Sequence, residues 1–401
     1  MNSEISQHTN HLGISFEDTQ TAFSLKSDLE LKRSYMLFAT MNYPWLVKMG
    51  TSSIKTAFAV GLPIKSILRQ TLFAHFCGGE DIEDCTKTIK LLAEHNIGTV
   101  LDYSVEGEKT EKGFDITEKE TLETIYKAAE SPSMPFCVFK VTGIASTPLL
   151  EKVQRGDVLT PEEEKAWQRA KQRVDTICQT AYKKRVRIFI DAEETWIQGT
   201  IDAFAEEMMT KYNKELPIVY NTYQMYLSAK YAQLEADLQK AKDRNYFLGA
   251  KLVRGAYMEK ERKRAEKKGY PSPIQPDKAS SDRDFNKALA FCVANRDKIA
   301  LVAGTHNEES SLYLTKLLAE NNIKSNDANF YFAQLFGMSD HISFNLAKAG
   351  YNVAKYVPYG PVKAVIPYLF RRAEENTSVA GQSSREFTLI QKEMKRRRRE
   401  S

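Results

Sequence analysis

The spacing of apolar positions along this chain changes once, near residue 96. From Leu25 to His95 apolar residues return every three or four positions, as at Ile82, Cys85, Ile89 and Leu92, which predicts amphipathic helices. Residues 1–20 are polar and predict a poorly ordered lead-in. Beyond residue 96, short runs rich in Val, Ile, Phe and Tyr alternate with helical patterns. The runs are Gly98–Tyr103, Phe136–Val141, Val186–Asp191, Ile218–Gln224, Leu248–Val253, Ile299–Gly304, Asn329–Gln334 and Val353–Val357. Helical patterns between them include Thr117–Ala129, Pro161–Lys184, Ile197–Lys211, Leu227–Asp243, Phe285–Ala294, Ser310–Glu320 and His341–Ala349.

Eightfold alternation of strand and helix predicts an α/β fold, a parallel (β/α)8 TIM-like barrel with an N-terminal helical segment. A doubly wound open sheet is the alternative, but no glycine-rich dinucleotide turn follows the first strand. The expected organisation is a helical arm or cap over residues 1–96, the barrel over 97–380, and a C-terminal helix with a basic tail over 381–401. The breaks Gly143–Thr160 and Gly269–Asp284 predict irregular loops, the second marked by Pro271, Pro273 and Pro276. After the last strand, Pro367 predicts a helix start, because proline suits the first helical position. Arg371 and Arg372 then fall within about two turns of that start, with Glu375 one turn on.

Barrel interiors are filled by side chains, so a polar residue at a strand's exit is costly unless it serves the C-terminal mouth. Nearly every candidate strand leads to one: Asp102, Lys140, Asp191, Gln224, Lys251 with Arg254, Thr305-His306-Asn307, Gln334 and Tyr356. Any one of these is more often a satisfied structural pair, but eight together make a site. Two arginines and a lysine suit an anion, Tyr257, Tyr331 and Tyr356 suit an apolar body, and Asp191 is a deep carboxylate. A small zwitterion carries that combination. A Schiff-base, aldolase-like lyase with Lys140 or Lys251 as nucleophile fits the same residues. Only His306 and His341 fall near the mouth, too few for a catalytic metal, so none is expected.

Charge narrows the partners further. The net charge of +5 is small beside 57 basic and 52 acidic residues, and the run Lys395–Arg399 supplies all of it. A nucleic-acid face is therefore not expected. The run itself suits either an anionic membrane surface, at roughly 1 kcal/mol per basic residue, or plain solvation. Five cysteines without a C-x-x-C pair suit free thiols in a reducing compartment. The N-terminus has no apolar signal core, and Glu4, Glu17 and Asp18 argue against a transit peptide. The longest apolar run, Met36–Val47, is interrupted by Thr40, Asn42 and Pro44, so no membrane span is expected. Together these predict a cytoplasmic protein, soluble or peripheral to the inner membrane.

The motifs Lys251-Leu252-Val253-Arg254-Gly255-Ala256-Tyr257 and Tyr356 through Thr377 resemble the proline dehydrogenase family of flavoenzymes, in its single-function, eukaryotic-type pattern. Phe139–Gly143, Asp191–Glu194, Tyr223–Tyr226, Gly304–Asn307 and Gln334–Met338 extend the resemblance strand by strand across residues 97–380. It implies FAD across the barrel mouth, oxidation of L-proline to 1-pyrroline-5-carboxylate, and a quinone as electron acceptor. Arg371 and Arg372 would clamp the substrate carboxylate, with Lys140 beside them and Tyr257, Tyr331 and Tyr356 as aromatic cover. Asp191 and Lys251 would be the catalytic pair that positions substrate and flavin. Gln224, Arg254, Gly255, Ala256, Thr305, His306, Asn307 and Gln334 would hold the cofactor, joined after the last strand by Glu375, Thr377 and Ser378. Lys251 stands where many bacterial members carry arginine, which keeps the charge and loses the bidentate fork. Phe330-Tyr331-Phe332 leaves the substrate-facing hydroxyl of the seventh strand undetermined. Within this family 4-hydroxyproline is the nearest competing substrate.

Overall fold

The computed structural model describes residues 14–41, 43, 45, 49, 50, 54, 65–104, 108–378 and 382–400, apart from the side chains of residues 67 and 373–384. An N-terminal helix α1 (Asp28–Met41) and a short α2 (Thr86–Ala93) precede the first strand. Then β1 (Ile97–Tyr103), α3 (Glu111–Ala129), β2 (Phe136–Phe139), α4 (Thr147–Arg155), α5 (Pro161–Lys184), β3 (Arg187–Ile190), α6 (Thr195–Tyr212) and β4 (Val219–Gln224) follow. The second half runs α7 (Lys230–Asp243), β5 (Leu248–Val253), α8 (Met258–Lys268), α9 (Lys278–Ala294), β6 (Ile299–Gly304), α10 (Glu308–Glu320), β7 (Phe330–Leu335), α11 (Asp340–Lys348) and β8 (Val353–Tyr359). Two helices, α12 (Val362–Ser378) and α13 (Gln382–Glu400), complete the chain.

The eight strands are parallel and ordered β1-β8-β7-β6-β5-β4-β3-β2. The two edges meet where Thr99 N–H donates to the Ser133 carbonyl at 2.8 Å, just before β2, so the sheet is a nearly closed barrel ringed by helices. The two-residue period of a strand sorts its side chains. Val100, Val138, Phe189, Tyr220, Val302 and Ala354 fill the lumen. Their neighbours Leu101, Ile188, Ile190, Leu252, Leu301 and Val357 belong to the outer core with the helices. Because both faces are covered, the strands read as nearly continuous apolar runs.

Where the sequence carries caps, helix bounds follow it closely. Thr160 and Glu163 form a reciprocal capping box before Pro161, and Arg185 closes α5 in a left-handed conformation, φ 56°. Three expectations are corrected and one helix carries no sequence signal; the Gly269–Asp284 break is irregular only as far as Asp277, the cap of α9. The Gly143–Thr160 break holds helix α4, with Pro148 in its first turn and Gly156 (φ 73°) at its end. Helix α8, MEKERKRAEKK, has almost no apolar stripe and docks instead through a fully buried Glu261, which accepts both the N–H and the hydroxyl of Thr195 at 2.6 Å. Pro367 lies inside α12; the helix starts after Gly360 and Pro361, which puts Arg371 and Arg372 in its third turn.

Both ends of the chain pack beside the barrel. Ile14 and Phe16, expected in a loose lead-in, are buried in the outer core, while residues 1–13 lie outside the described ones. Phe23, Leu31 and Phe38 share a second core with Phe76, Val365, Leu369, Leu389 and Ile390, so α1, α12 and α13 form one collar. The basic run is the end of α13. Arg396 and Arg397 pair with the buried Glu393, and Arg397 also reaches Asp28 of α1 at 2.8 Å. Among the described residues no helix is long and apolar enough to cross a membrane.

Candidate functional site

The C-terminal ends of the strands open onto a cavity of about 720 Å³, a size in which proteins commonly bury small ligands. Its floor is a buried charged pair. Lys251 on β5 donates to Asp191, just past β3, and to the Tyr356 hydroxyl on β8 at 2.7 Å. The ammonium also sits 4.9 Å from the Phe189 ring centre and 4.7 Å from that of Tyr356. Burial first, then the charges of Asp191 and Asp102, push the Tyr356 phenol well above its ordinary pKa, so it stays protonated. Lys140 lies 3.8 Å from Asp102, whose other contact is the Ser104 hydroxyl at 2.8 Å.

A second group occupies the ends of β4, β5, β6 and β7. Arg254 spreads its guanidinium over Asp282 (2.7 Å), the Thr305 hydroxyl (2.7 Å) and the Ser310 hydroxyl (2.9 Å). Asn307 caps α10 by accepting Ser310 N–H at 2.7 Å, and Gln334 donates to the Thr305 carbonyl at 3.0 Å. Gln224 donates to the Glu193 carbonyl at 2.7 Å. His306 faces Ser339 with Nδ1 3.0 Å from Oγ; burial, then the cations Lys355 and Arg372, hold its pKa near 3, so the ring is neutral. Gly255 has φ +138°, and a Cβ there would strike the Tyr226 ring at 2.3 Å. The loop that carries Ala256 and the buried Tyr257 is therefore fixed in shape.

Arg371 and Arg372 enter from α12, the latter buried with its guanidinium 5.1 Å from the Tyr368 ring centre. One expectation fails here. Tyr331 points into the lumen at the opposite end of the barrel, edge-on to Phe136 at 4.9 Å and 5.7 Å from the Arg187 guanidinium, and does not line the cavity. It is the second residue of β7, and the inward positions nearer the mouth are Ala333 and Leu335. The side chains of Glu375, Thr377 and Ser378 lie outside the described residues.

Several lining residues escape sequence reasoning. Glu308 opens α10 behind Asn307, a start signal that could have been read. Arg385 reaches the cavity from α13, which no local pattern foretells. Just behind the cavity wall, Glu193 accepts the Thr142 N–H (3.0 Å) and hydroxyl (2.5 Å), and burial pushes its carboxyl up to about 7 against those bonds. Among the described residues no cluster of His, Cys, Asp or Glu is arranged to hold a metal.

The donor chemistry fits FAD. Amide donors at Gln224 and Gln334 and an ammonium at Lys251 match a heterocycle with polar edges. Arg254, Lys278 and Arg385 bring cations to the side where a diphosphate would be needed, although Glu308 and Glu309 share that side. At Gly304, on the cavity wall, a Cβ would crowd Val253 at 3.0 Å and the Leu252 carbonyl at 3.2 Å, so glycine there lets β6 pack closely on β5.

Comparison with known proteins follows the same line. The family described as proline dehydrogenase matches residues 85–385. "Proline dehydrogenase 1, mitochondrial" of Dictyostelium discoideum is 32% identical, over 98% of this chain and 76% of that protein. "Hydroxyproline dehydrogenase" of Xenopus laevis is 31% identical, over 96% and 90%. In fold, the chain is similar to the proline utilization A protein of Bdellovibrio bacteriovorus inactivated by N-propargylglycine, with a TM-score of 0.70 at 19% identity. That likeness covers 91% of this chain and 36% of the other, so this chain spans about a third of that protein's length. The cytoplasmic expectation is corrected: the Dictyostelium relative and others from Drosophila melanogaster, Arabidopsis thaliana and Homo sapiens are named mitochondrial. Those names run against the cytoplasmic expectation.

Proposed function

Because the chain belongs to the proline dehydrogenase family, we propose that it oxidises L-proline to 1-pyrroline-5-carboxylate with FAD bound in the barrel mouth and a quinone taking the electrons. The observation that carries the reading is that the Lys251–Asp191–Tyr356 cluster and the two arginines Arg371 and Arg372 line the same cavity. Bound there, FAD supplies a two-electron acceptor for the carbon beside the substrate amine.

The chain's own residues do the placing. Arg371 and Arg372, with Lys140, grip the substrate carboxylate; guanidinium groups suit it because they offer two parallel N–H donors. Tyr257 and Tyr356 wall the pyrrolidine ring and keep water from it. Lys251 and Asp191 hold each other, and Lys251 holds the Tyr356 hydroxyl, so the floor is rigid before substrate arrives. Gln224, Arg254, Gly255, Ala256, Thr305, His306, Asn307 and Gln334 form the cofactor side, with Glu375, Thr377 and Ser378 assigned to it on sequence grounds. The lyase alternative loses ground because the Lys251 amine is engaged by two partners and enclosed by two rings, a poor state for a nucleophile.

The near-equal identities to a proline and a hydroxyproline dehydrogenase keep trans-4-hydroxy-L-proline as the second substrate. The test is anaerobic titration of the purified, flavin-loaded protein. Bleaching of the flavin by L-proline at lower concentration than by trans-4-hydroxy-L-proline supports the first reading, and the reverse order the second. A colourless protein that borohydride traps covalently on a carbonyl substrate would establish the lyase. Lys395, Arg398 and Arg399 on the exposed side of α13 are the groups through which an anionic membrane would be met. Binding to anionic vesicles that fades with salt is the expected result.

A further inference from the structure

Five non-glycine residues among those described have left-handed backbone: Asn96, Arg185, Asn245, Asn322 and Ser339. Asn96, Arg185 and Asn245 sit one to three residues before β1, β3 and β5, and Asn322 follows α10; all lie on the side of the barrel away from the cavity. Ser339, φ 51°, alone lies at the mouth, in the loop from β7 to α11, and it lines the cavity. Such a conformation persists only when its surroundings over-determine it.

The surroundings come largely from the C-terminal helix. Ser339 N–H donates to Glu386 of α13, a carboxylate only 3% exposed. The neighbouring Arg385 takes Glu308, in the first turn of α10, with two nitrogens at 2.7 and 3.2 Å, and also reaches Glu17 of the N-terminal segment at 2.6 Å. His341 meets the same Glu308 at 3.0 Å. Burial alone would raise the Glu308 carboxyl, but the bonds from His341 and Arg385 bring it to about 2, so Glu308 is ionised at neutral pH, whereas burial pushes the Glu386 carboxyl up. Between the two held loops lies His306, its Nδ1 on the Ser339 hydroxyl.

We propose that α13 is a clasp on the cofactor pocket: Glu386 and Arg385 hold the Ser339 and Glu308 loops, and through Ser339 the His306 ring, so that the flavin nucleotide is retained only while α13 is docked. The inference rests on the flavin reading above. Glu386 and Ser339 act as positioning residues, setting loops that line the pocket, while Arg385 both holds the start of α10 and lines the pocket itself.

The experiment measures flavin release from the purified full-length chain, by the fluorescence gained on dissociation, with no substrate present. Glu386→Ala is expected to speed release about tenfold or more, since the buried acceptor of Ser339 N–H is lost. Glu386→Gln keeps an oxygen to accept Ser339 N–H and should stay within about threefold of wild type, whereas Glu386→Met, of similar bulk but with no acceptor, should release flavin like Glu386→Ala if the bond and not the bulk matters. Ser339→Ala keeps the backbone bond and loses the His306 contact, so it should fall between the two. Arg398→Ala, on the exposed side of α13, serves as the control and should release flavin like wild type. Equal release from wild type, Glu386→Ala and Ser339→Ala overturns the clasp while leaving the flavin reading intact. A wild-type chain that takes up no flavin overturns both. Should Glu386→Ala fail to fold, Ser339→Ala and Arg385→Ala decide, wild-type release from both refuting the proposal.

Discussion

The two ends of the barrel lumen each hold a cation between aromatic rings, and they do opposite things with it. At the closed end Arg187 lies 5.5 Å from the Phe136 ring centre and 5.7 Å from that of Tyr331, and donates to the Ala328 carbonyl at 2.7 Å. It plugs the barrel, half-buried, facing rings and a neutral acceptor. At the open end Lys251 lies between Phe189 and Tyr356 but is almost wholly buried and faces a carboxylate, Asp191. Similar local chemistry thus gives a stopper in one place and a cavity floor in the other. What separates them is the paired charge and the cavity above it.

The largest expected effect removes that pairing. Lys251→Met leaves Asp191 in a buried site without its ammonium and should cost about 3–5 kcal/mol in urea unfolding and abolish proline turnover. Arg187→Met should cost about 1 kcal/mol and leave turnover intact; equal inactivity of the two variants would erase the contrast. Next in size, Arg371→Ala should raise KM for proline at least about thirtyfold, equivalent to the lower end of 2–5 kcal/mol for a truncated buried charge pair. Unchanged proline kinetics would remove Arg371 from the clamp. Smaller still, Tyr356→Phe takes one hydrogen bond from Lys251 and should lower kcat/KM severalfold, about 0.5–1.5 kcal/mol, whereas Tyr331→Phe should be silent.

The smallest effect is one of pH. His306 is held near 3 in the fold and titrates near 6.5 when unfolded, so it adds stability above 6.5 that is lost as pH falls toward 3. Glu193 is raised to about 7 from 4.5, so the folded form is favoured below 4.5 and that advantage is lost as pH rises through 7. Between pH 4.5 and 6.5 the two oppose each other. Glu193→Gln should therefore steepen the loss of stability on acidification, by up to about 1.4 kcal/mol per pH unit, read from urea midpoints. An unaltered slope would show that Glu193 is ionised at neutral pH in the fold.

Much of this was legible in the chain, for a physical reason. Strands covered on both faces must be apolar throughout, so all eight stood out to within about two residues at either end. Polar exits such as Lys251 and Gln334 stood out because they interrupt those runs. Helix α8 was invisible because it buries a glutamate rather than an apolar stripe, and Pro367 misled because proline was taken to mark a start. Tyr331 was misplaced because alternation tells which face a residue takes and not how far along the lumen it lies. Arg385 reaches Glu308 across 77 residues of sequence, a distance over which no periodic signal survives.

The pairing of α1 with α13 also orders events in time. Arg397 holds Asp28, and Leu31 and Phe38 share a core with Leu389 and Ile390. About 340 residues separate the end of α1 at Met41 from the start of α13 at Gln382. At a synthesis rate of roughly 5–20 residues per second, the first helix waits about 17–70 s for its partner to leave the ribosome. Throughout that interval the part of its apolar face that Leu389 and Ile390 cover stays open, while Phe73 and Phe76 of the same core arrive within about 35 residues.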